Sequence, residues 1–478
     1  MPRSAALPAR ARVVRAVDPL VLALVAVAFF IALKLSSYRS FGVHGEAANF
    51  EYMLWSVLRG EPLRQSAADS HFFSQHFSPI LYALVPLYSI FRSPVFLLVL
   101  QACVAALAVI PLYWLSRTSL QNRWGAVAIG AAYLTQRHLS YGLMYDFHME
   151  IFYPLLYFSV FFFMERRKWP LFYLFLLLTI TVKEDANVAN AGLGLFLIAQ
   201  RQYRHGIATL VLSLSILLVT FGLIFPYFRR DLLESGYQFA HYWTGYGDSL
   251  RDVISGMLDP GKHAEVILSG TKLRKMFTLF ANFGFLPLGT WTGALFLVGP
   301  NWFMLYSSEQ RLLHGPLIYY GLLSIPFLFF SSIRTLRRLQ ERSWVGARYA
   351  VVVGAGVLLL VCLANSRLFQ QLRPDAWRRD ARFRVAGAMI EAVPPTAAVS
   401  AQIDLQAHFP IRRVRSQIPR DIDRAEYLLF DLLGNTYPLS REENWALADS
   451  LRGSSDWTVI SEDAGFVLFH RANEALED

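Results

Sequence analysis

The feature that most constrains this chain is a succession of apolar runs, each near the length that crosses a membrane. Runs such as Pro19–Ser36, Pro94–Leu115 and Ile207–Tyr227 alternate with short polar segments along most of the sequence. A hydrocarbon core takes about 20 apolar residues in a helix. Hydrophobic residues make up 55% of the chain and aromatic residues 15%. We therefore predict a mostly α fold, a polytopic transmembrane helical bundle, rather than a soluble protein.

The formal net charge of +10 follows the predicted membrane topology. Arginine and lysine cluster between the apolar runs, as they do in cytoplasmic loops, and the arginines before Asp18 place the N-terminus in the cytoplasm. No groove motif of basic and aromatic residues accompanies them, so no nucleic-acid partner is predicted. Cys103 and Cys362 both lie inside apolar runs. A disulfide or a thiol metal site is therefore not expected.

One short apolar run, Ile80–Phe91, decides the topology. It has about a dozen residues against the ~20 of a span, and Pro86 interrupts it. If it crosses the membrane, Asp146 is cytoplasmic and the basic residues 166–168 are external. If it lies along the surface, every basic loop is cytoplasmic, as the charge rule requires. We take the second option, which gives about eleven spans. The basic loops are Arg117–Arg123, Glu165–Lys168, Arg201–His205 and Arg334–Arg342.

The composition divides the chain into two predicted domains. Residues 1–366 form the transmembrane domain, with external surface helices at 41–93 and an external loop at 228–275. Residues 367–478 form a small soluble α/β domain on the external side, with a lid or docking role. Its pattern predicts a capping box at Ser440–Glu443 and a hairpin turn at Asp463–Gly465. Strands are predicted near Ala397–Ala401, Tyr427–Asp431, Trp457–Ser461 and Gly465–His470.

Two polar segments interrupt the apolar runs of the bundle, Tyr145–Glu150 and Lys183–Asp185. Ionisable groups this near hydrocarbon face a protein interior or a watery cavity and indicate a functional site. In an extended loop Asp146, His148 and Glu150 point to one side, whereas in a helix only the two acids share a face. Either arrangement brings two carboxylates together, suited to holding a cation or to acting as a base. A polar loop at the headgroup level is the structural alternative.

Three further residues have a functional and a structural interpretation. Glu46 opens a predicted amphipathic surface helix, Gly45–Arg59, where a carboxylate also stabilises the helix dipole. His76 precedes a Ser-Pro pair, so it either contacts substrate or caps a surface helix. His314 either contacts a ligand or lies in an interface.

Four segments of the sequence carry a resemblance to a known family: His76-Phe-Ser-Pro79-Ile-Leu, Pro86-Leu-Tyr88, Asp146-Phe-His148-Met-Glu150 and Lys183-Glu184-Asp185. They resemble the signature segments of a bacterial membrane family catalogued as domain of unknown function 2079, from about Phe41 to His470. That family is similar in turn to multi-spanning glycosyltransferases of the GT-C architecture. Those enzymes have a carboxylate soon after span one and an acidic motif after span three. Glu46 and Asp146 occupy these two places, although the first is most often an aspartate.

The resemblance implies a GT-C-type glycosyltransferase of the bacterial inner membrane, acting in the cell envelope. Its partner is a polyprenyl-phosphate-linked sugar donor on the external, periplasmic face. Glu46 or Asp146 serves as the base, and Lys183 carries the phosphate charge. A divalent cation is an expected option, with Asp146, His148 and Glu150 as candidate metal ligands. The expected substrate-binding residues are His76, His148, Glu150, Lys183, Glu184, Asp185 and His314.

Other interpretations of the buried charges remain open. A transporter or flippase of a lipid-linked or anionic solute would use the same carboxylates for proton coupling. Against it, the halves of the sequence show no inverted repeat and no matched pair of helices broken by Gly or Pro. Lys183 can also form a structural ion pair with Glu184 or Asp185. A non-catalytic scaffold that presents the C-terminal domain would leave the internal charges unexplained.

Overall fold

Helices make up most of the described chain, as predicted, and a small sheet lies near its C-terminal end. The computed structural model describes residues 9–66, 70–230, 240–247, 249–311, 313–315, 318–342, 346–373, 377 and 380–472. Parts of the predicted external loop 228–275 and of the predicted domain 367–478 fall outside the described residues, as do the first residues of the predicted cytoplasmic N-terminus.

Helices follow one another along most of the described chain. In the first half they are Ala9–Arg39, Gly45–Leu58, Ile80–Ile90, Pro94–Leu107, Val109–Leu120, Arg123–Thr135, Arg137–Met144, Phe152–Glu165, Trp169–Val182, Ala186–Ala199 and Tyr203–Val219. In the second half they are Phe225–Arg229, Leu250–Leu258, Pro260–Ile267, Gly270–Ala281, Trp291–Gly293, Gly299–Ser307, Ser324–Arg342, Ala347–Asn365, Arg382–Ala392 and Arg441–Arg452.

Within the described ranges, three helical stretches are long and apolar enough to cross a membrane: Val17–Arg39, Pro94–Leu120 and Tyr203–Arg229. Shorter apolar helices accompany them at Ile80–Ile90, Trp169–Val182, Ala186–Ala199 and Tyr349–Asn365. Apolar side chains of the first stretch, such as Leu24 and Val25, are exposed in the isolated chain, as expected of a surface that faces lipid.

The predicted span Trp124–Gly142 is not one helix. The first helix ends at Thr135 and the second begins at Arg137, with Gln136 in extended conformation between them. The Gln136 Oε1 atom accepts hydrogen bonds from the N–H groups two and three residues further on, at 2.5 and 3.1 Å. A side-chain acceptor at this place satisfies the first free N–H groups of a new helix. The polar residues Gln136, Arg137 and His138 stand at this break, and the predicted span ran across them.

The C-terminal sheet has five strands among the described residues: β1 Val399–Ala401, β2 Arg415–Gln417, β3 Tyr427–Asp431, β4 Trp457–Asp463 and β5 Phe466–Arg471. Their order across the sheet is β2-β1-β3-β5-β4. β1 is parallel to both of its neighbours, and β5 is antiparallel to both of its own. The capping box at Ser440 and Glu443 is present, and Gly465 takes φ +81° in the β4–β5 turn. Four strands were predicted; β2 was missed because its three residues are polar.

The part of the chain that carries the sheet packs on the helix Gly45–Leu58 and the turn before it. The Phe41 ring stacks on the His408 ring, with centroids 3.8 Å apart. Arg415 Nη1 reaches Glu51 Oε2 at 2.8 Å, and both side chains are at most 2% exposed. The sheet therefore lies at the same end of the bundle as this helix. The domain boundary between residues 366 and 367 stays a prediction.

Candidate functional site

The Asp146 carboxylate binds the N-terminus of the helix Gly45–Leu58. Its Oδ1 accepts from the His44 N–H at 2.8 Å and its Oδ2 from the Ala47 N–H at 3.1 Å. These are N–H groups that the first turn of a helix leaves free. Asp146 and the turn that holds Glu46 are thus in direct contact, although 100 residues separate the two acids in the chain.

Asp146 and Glu46, the two acids that the sequence indicated, influence the same neighbouring group. Burial raises the pKa of Asp146, and the nearby Lys34 ammonium and the His44 N–H offset part of that effect. Burial also raises the pKa of Tyr145, and the Glu46 and Asp146 carboxylates add to the shift. Both acids therefore lie near one phenol. Glu46 itself is half-buried.

Lys34 also lies beside the loop that carries Asp146, and sequence analysis missed it. Its side chain is 2% exposed, and its Nζ donates to the Tyr145 carbonyl oxygen. Gln101 Nε2 holds the same loop by donating to the Asp146 carbonyl oxygen at 3.1 Å. A signal was present, because Lys34 stands inside the predicted span Pro19–Ser36, where an ionisable residue indicates a functional site.

Glu150, Lys183 and His148 form a second, fully buried group. Lys183 Nζ donates to Glu150 Oε1 at 2.9 Å, and His148 Nδ1 lies 3.5 Å from Glu150 Oε2. Lys183 therefore pairs with Glu150, and not with the adjacent acids that the sequence offered. A buried charge pair of this kind is tolerated when its partners compensate each other. Within the described structure His148 Nε2 has no hydrogen-bond partner.

The remaining acids of the second motif each have a partner of their own. His76 Nδ1 lies 2.9 Å from Glu184 Oε1, and the Phe77 N–H donates to Glu184 Oε2 at 2.9 Å. The Tyr153 hydroxyl donates to Asp185 Oδ1. His76 thus contacts the Lys183–Asp185 segment. This contact joins the predicted surface segment 41–93 to the helical bundle.

An aromatic layer connects the two groups of acids. The His148 ring stacks on the Tyr319 ring at 3.5 Å, and the Tyr145 and Tyr319 centroids are 5.6 Å apart. The Tyr319 hydroxyl donates to the Tyr320 hydroxyl at 3.3 Å, and Lys183 Nζ lies 5.7 Å from the Tyr320 ring centroid. Sequence analysis missed both tyrosines. The available signal was a pair of adjacent tyrosines directly before an apolar run.

His314 has different neighbours. It is buried, its Nε2 lies 2.6 Å from the Ser308 carbonyl oxygen, and its ring stacks on Tyr306. Nearby, Lys272 Nζ lies 3.4 Å from Glu309 Oε1. The hydrogen bond and the ring contact of His314 join it to its own loop and to the helix before that loop. Its ligand role stays a prediction.

Two pockets lie along the first spanning helix. The pocket that ends at Phe30 is apolar, and the one that contains Lys34 is polar. The apolar pocket has about 320 Å³ and the polar one about 150 Å³. Phe30 ends the first and Leu33 begins the second, one helical turn apart. We call the pair the span-one groove. Its apolar part is lined by Val21, Leu22, Val25, Ala26, Phe29, Phe30, Leu134, Thr135, Leu363, Leu368, Phe369 and Leu372, and its polar part by Leu33, Lys34, Ser36, Ser37, Ser40, Met144, Gln371 and Trp377.

The two acids among the three candidate metal ligands already have partners. The Asp146 oxygens accept backbone N–H groups, and Glu150 pairs with Lys183. Across the described ranges, no group of three or more His, Cys, Asp or Glu side chains is arranged to hold a metal ion. The residues present therefore do not fit a divalent cation in this arrangement, and the metal role of Asp146, His148 and Glu150 stays a prediction.

A helical membrane protein with a buried network of ionisable groups at one end of its bundle is the class that this fold and site define. The chain belongs to the family described as predicted membrane protein (DUF2079), whose model matches residues 47–468. This confirms the family that the sequence motifs indicated. A comparison with curated proteins found no match.

Two solved structures of ArnT from Cupriavidus metallidurans are similar to the chain. The structure bound to undecaprenyl phosphate has 13% sequence identity and a TM-score of 0.49, and the match covers 94% of this chain and 98% of that one. The structure in the apo state has 12% identity and a TM-score of 0.46, and the match covers 93% and 97%.

Proposed function

We propose that this chain is a membrane glycosyltransferase whose donor is a sugar linked to a polyprenyl phosphate. The observation that carries the proposal is the span-one groove, which is apolar along the helix and polar where it reaches Lys34. An isoprenoid tail fits the apolar part, and a phosphate fits beside the buried ammonium. The carbonyl group that Lys34 contacts belongs to Tyr145, the residue before Asp146. The groove thus leads a lipid phosphate toward the acids.

The transfer step follows from these neighbours. The oxygen of an acceptor hydroxyl attacks the anomeric carbon and its proton passes to the Asp146 carboxylate. The bond between the anomeric carbon and the phosphate oxygen breaks, and the polyprenyl phosphate leaves with the electron pair. Burial raises the pKa of Asp146, which makes its carboxylate a stronger base. Lys34 carries the charge of the departing phosphate, and Glu46 lies where the acceptor would enter.

The same proposal includes the membrane topology. We place the acids on the external, periplasmic face and the N-terminus in the cytoplasm, with about eleven spans in the whole chain. The helix Ile80–Ile90 supports this, because its 11 residues cover only about 16 Å. Its Tyr88 hydroxyl also donates to Glu51 Oε1 at 3.5 Å, which attaches it to the surface helix. Residues 1–366 would be the transmembrane domain and 367–478 the external one.

The test is transfer from a radiolabelled polyprenyl-phosphate sugar in vesicles that contain the purified full-length chain and an envelope extract as acceptor. Asp146→Asn should abolish transfer while the protein stays inserted. Lys34→Met should raise the KM for the donor about tenfold, because a hydrogen bond to a charged group contributes ~1.5–3 kcal/mol. Asp463→Asn, in the exposed β4–β5 turn, is the matched control and should transfer normally.

Two results would overturn this assignment. One is full transfer by both Asp146→Asn and Glu46→Gln. The other is a wild-type chain that transfers no sugar but moves an anionic solute across the vesicle membrane, with uptake lost in the same variants. That second result would favour the transporter or flippase, in which the buried acids couple solute to protons.

A further inference from the structure

One large pocket of the described structure lies away from the acids. It has a volume of about 460 Å³, within the range of ligand pockets. We call it the arginine pocket. Its polar lining is Ser119, Glu165, Arg167, Gln200, Gln202, Thr290, Arg334, Arg337, Arg338 and Glu341, and its apolar lining is Met164, Trp169, Phe196, Leu197, Phe330 and Ile333.

The arginine pocket and the acids are at opposite ends of the same helices. Phe152–Glu165 begins beside Glu150 and ends in the pocket, and Trp169–Val182 runs back from the pocket to Lys183. Ala186–Ala199 again runs from the acids toward the pocket. Each helix has 14 residues, or about 21 Å. A ligand of this pocket is therefore not the sugar donor at Lys34.

The charges of the pocket favour an anion. Four arginines stand against two glutamates, a formal excess of two positive charges. Glu165 contacts Arg334 at 3.5 Å and Arg337 at 3.9 Å, and Glu341 contacts Arg337 at 3.0 Å. Both acids are thus held by two of the arginines. Arg167 and Arg338 are exposed, and neither of them forms a salt bridge with a carboxylate of the pocket.

Unsatisfied polar atoms line the same space. Thr290 is 3% exposed, and its Oγ1 has no hydrogen-bond partner in the described structure. Arg334 Nε is buried and likewise has none there. Its guanidinium carbon lies 5.0 Å from the Phe196 ring centroid, which fixes the plane of the group. Buried donors without partners are costly, and a bound oxyanion would satisfy them.

We propose that the arginine pocket binds a phosphate-bearing anion, through Arg334, Arg338 and Thr290. This site is independent of the proposed transferase function. The chemistry fits either a lipid phosphate headgroup or a free phosphate. The apolar wall of Trp169 and Phe330 beside the arginines favours the lipid, whose glycerol and first methylenes would lie against it. Basic pockets between membrane helices bind anionic headgroups in this way.

The experiment measures binding to the full-length chain in neutral detergent. One arm titrates phosphatidylglycerol, with phosphatidylcholine as the neutral lipid, and counts retained lipids by native mass spectrometry. The other arm titrates inorganic pyrophosphate and measures the shift in unfolding temperature. The variants are Arg338→Gln and Arg334→Gln, and the first changes an exposed side chain and is expected to fold. The matched control is Arg342→Gln, on the same helix but outside the pocket.

The wild-type chain should retain phosphatidylglycerol over phosphatidylcholine, and each pocket variant should weaken retention about tenfold, while Arg342→Gln leaves it unchanged. Pyrophosphate binding that is lost in the same two variants, without a lipid preference, supports the free anion as the ligand. The proposal is overturned if neither anion binds, or if Arg342→Gln weakens binding as much as the pocket variants do, because the effect would then be one of surface charge alone.

Discussion

The buried pair of Glu51 and Arg415 gives a sharp prediction about how the sheet is held to the surface helix. The Arg415 guanidinium donates to Glu51 Oε2 at 2.8 Å, to the Phe409 carbonyl oxygen at 3.1 Å and to the Ala48 carbonyl oxygen at 2.7 Å. Glu51→Gln keeps an acceptor in this place but removes the only carboxylate among these three acceptors. The guanidinium would then be buried without a counter-charge.

Breaking a buried pair on one side costs about 3–5 kcal/mol. Because the glutamine oxygen can still accept one hydrogen bond, we expect the lower end, about 3 kcal/mol. This free energy changes one equilibrium constant by about two orders of magnitude. The equilibrium is between a closed interface, in which the sheet packs on the surface helix, and an open one. Burial raises the pKa of Glu51 in spite of Arg415. The pair itself is therefore a weak stabiliser, and Glu51→Leu with Arg415→Met should be close to neutral.

The assay is hydrogen–deuterium exchange of the amides in the helix Gly45–Leu58, in the full-length protein. Glu51→Gln should speed exchange there about a hundredfold, because the uncompensated guanidinium favours the open interface, and the double variant should restore protection. Arg424→Gln is the matched control, because its pair with Asp421 is exposed and contributes below about 1 kcal/mol. Exchange in Glu51→Gln within threefold of the control would refute the reasoning, and so would a double variant that adds the two single losses.

Two more predictions concern topology and pH. A cysteine at the exposed position Asp463 should react with a reagent that cannot cross the membrane, and one at exposed Arg167 should not; the reverse pattern would place the acids in the cytoplasm. The hydrogen bond to Asp404 raises the pKa of His44, so this contact stabilises the fold below about pH 6.5 and is lost as pH rises through the raised pKa. His44→Gln should lower the unfolding temperature in acid and leave it unchanged at high pH. The contact contributes less than ~1 kcal/mol to the free energy of unfolding, because the side chain is partly exposed. Equal losses of unfolding temperature at both pH values would contradict this.

Local pattern predicted those features that depend on neighbours in the chain. The capping box at Ser440 needs only four residues, and the apolar periodicity of the spans needs about 20. Both are found. The break at Gln136 was not predicted, although three polar residues, 136–138, interrupt the apolar run there. The strand Arg415–Gln417 was not predicted, because its three polar residues carry no alternating pattern. It is a strand only because it pairs with β1.

The pairings of the candidate site were beyond local pattern for a different reason. Glu51 and Arg415 are 364 positions apart, and Lys34 and Tyr145 are 111 apart. Spacing within a motif shows which side chains share a face, but it gives no partner in another segment. The cost of burying a charge did predict that partners exist. It could not identify them, and it favoured the adjacent acids for Lys183 over Glu150.

The pairing of Lys183 with Glu150 changes which cation can serve a phosphate. An ammonium that already neutralises a buried carboxylate at 2.9 Å has no net charge to offer, and drawing it away would leave Glu150 uncompensated. Lys34 differs, because its hydrogen bond is to a backbone carbonyl, which a phosphate can replace without stranding a charge. Its pocket also begins one helical turn beyond the apolar pocket on the same helix. In the proposed transferase we therefore assign the two lysines different roles: Lys183 holds Glu150 in place, and Lys34 receives the donor phosphate.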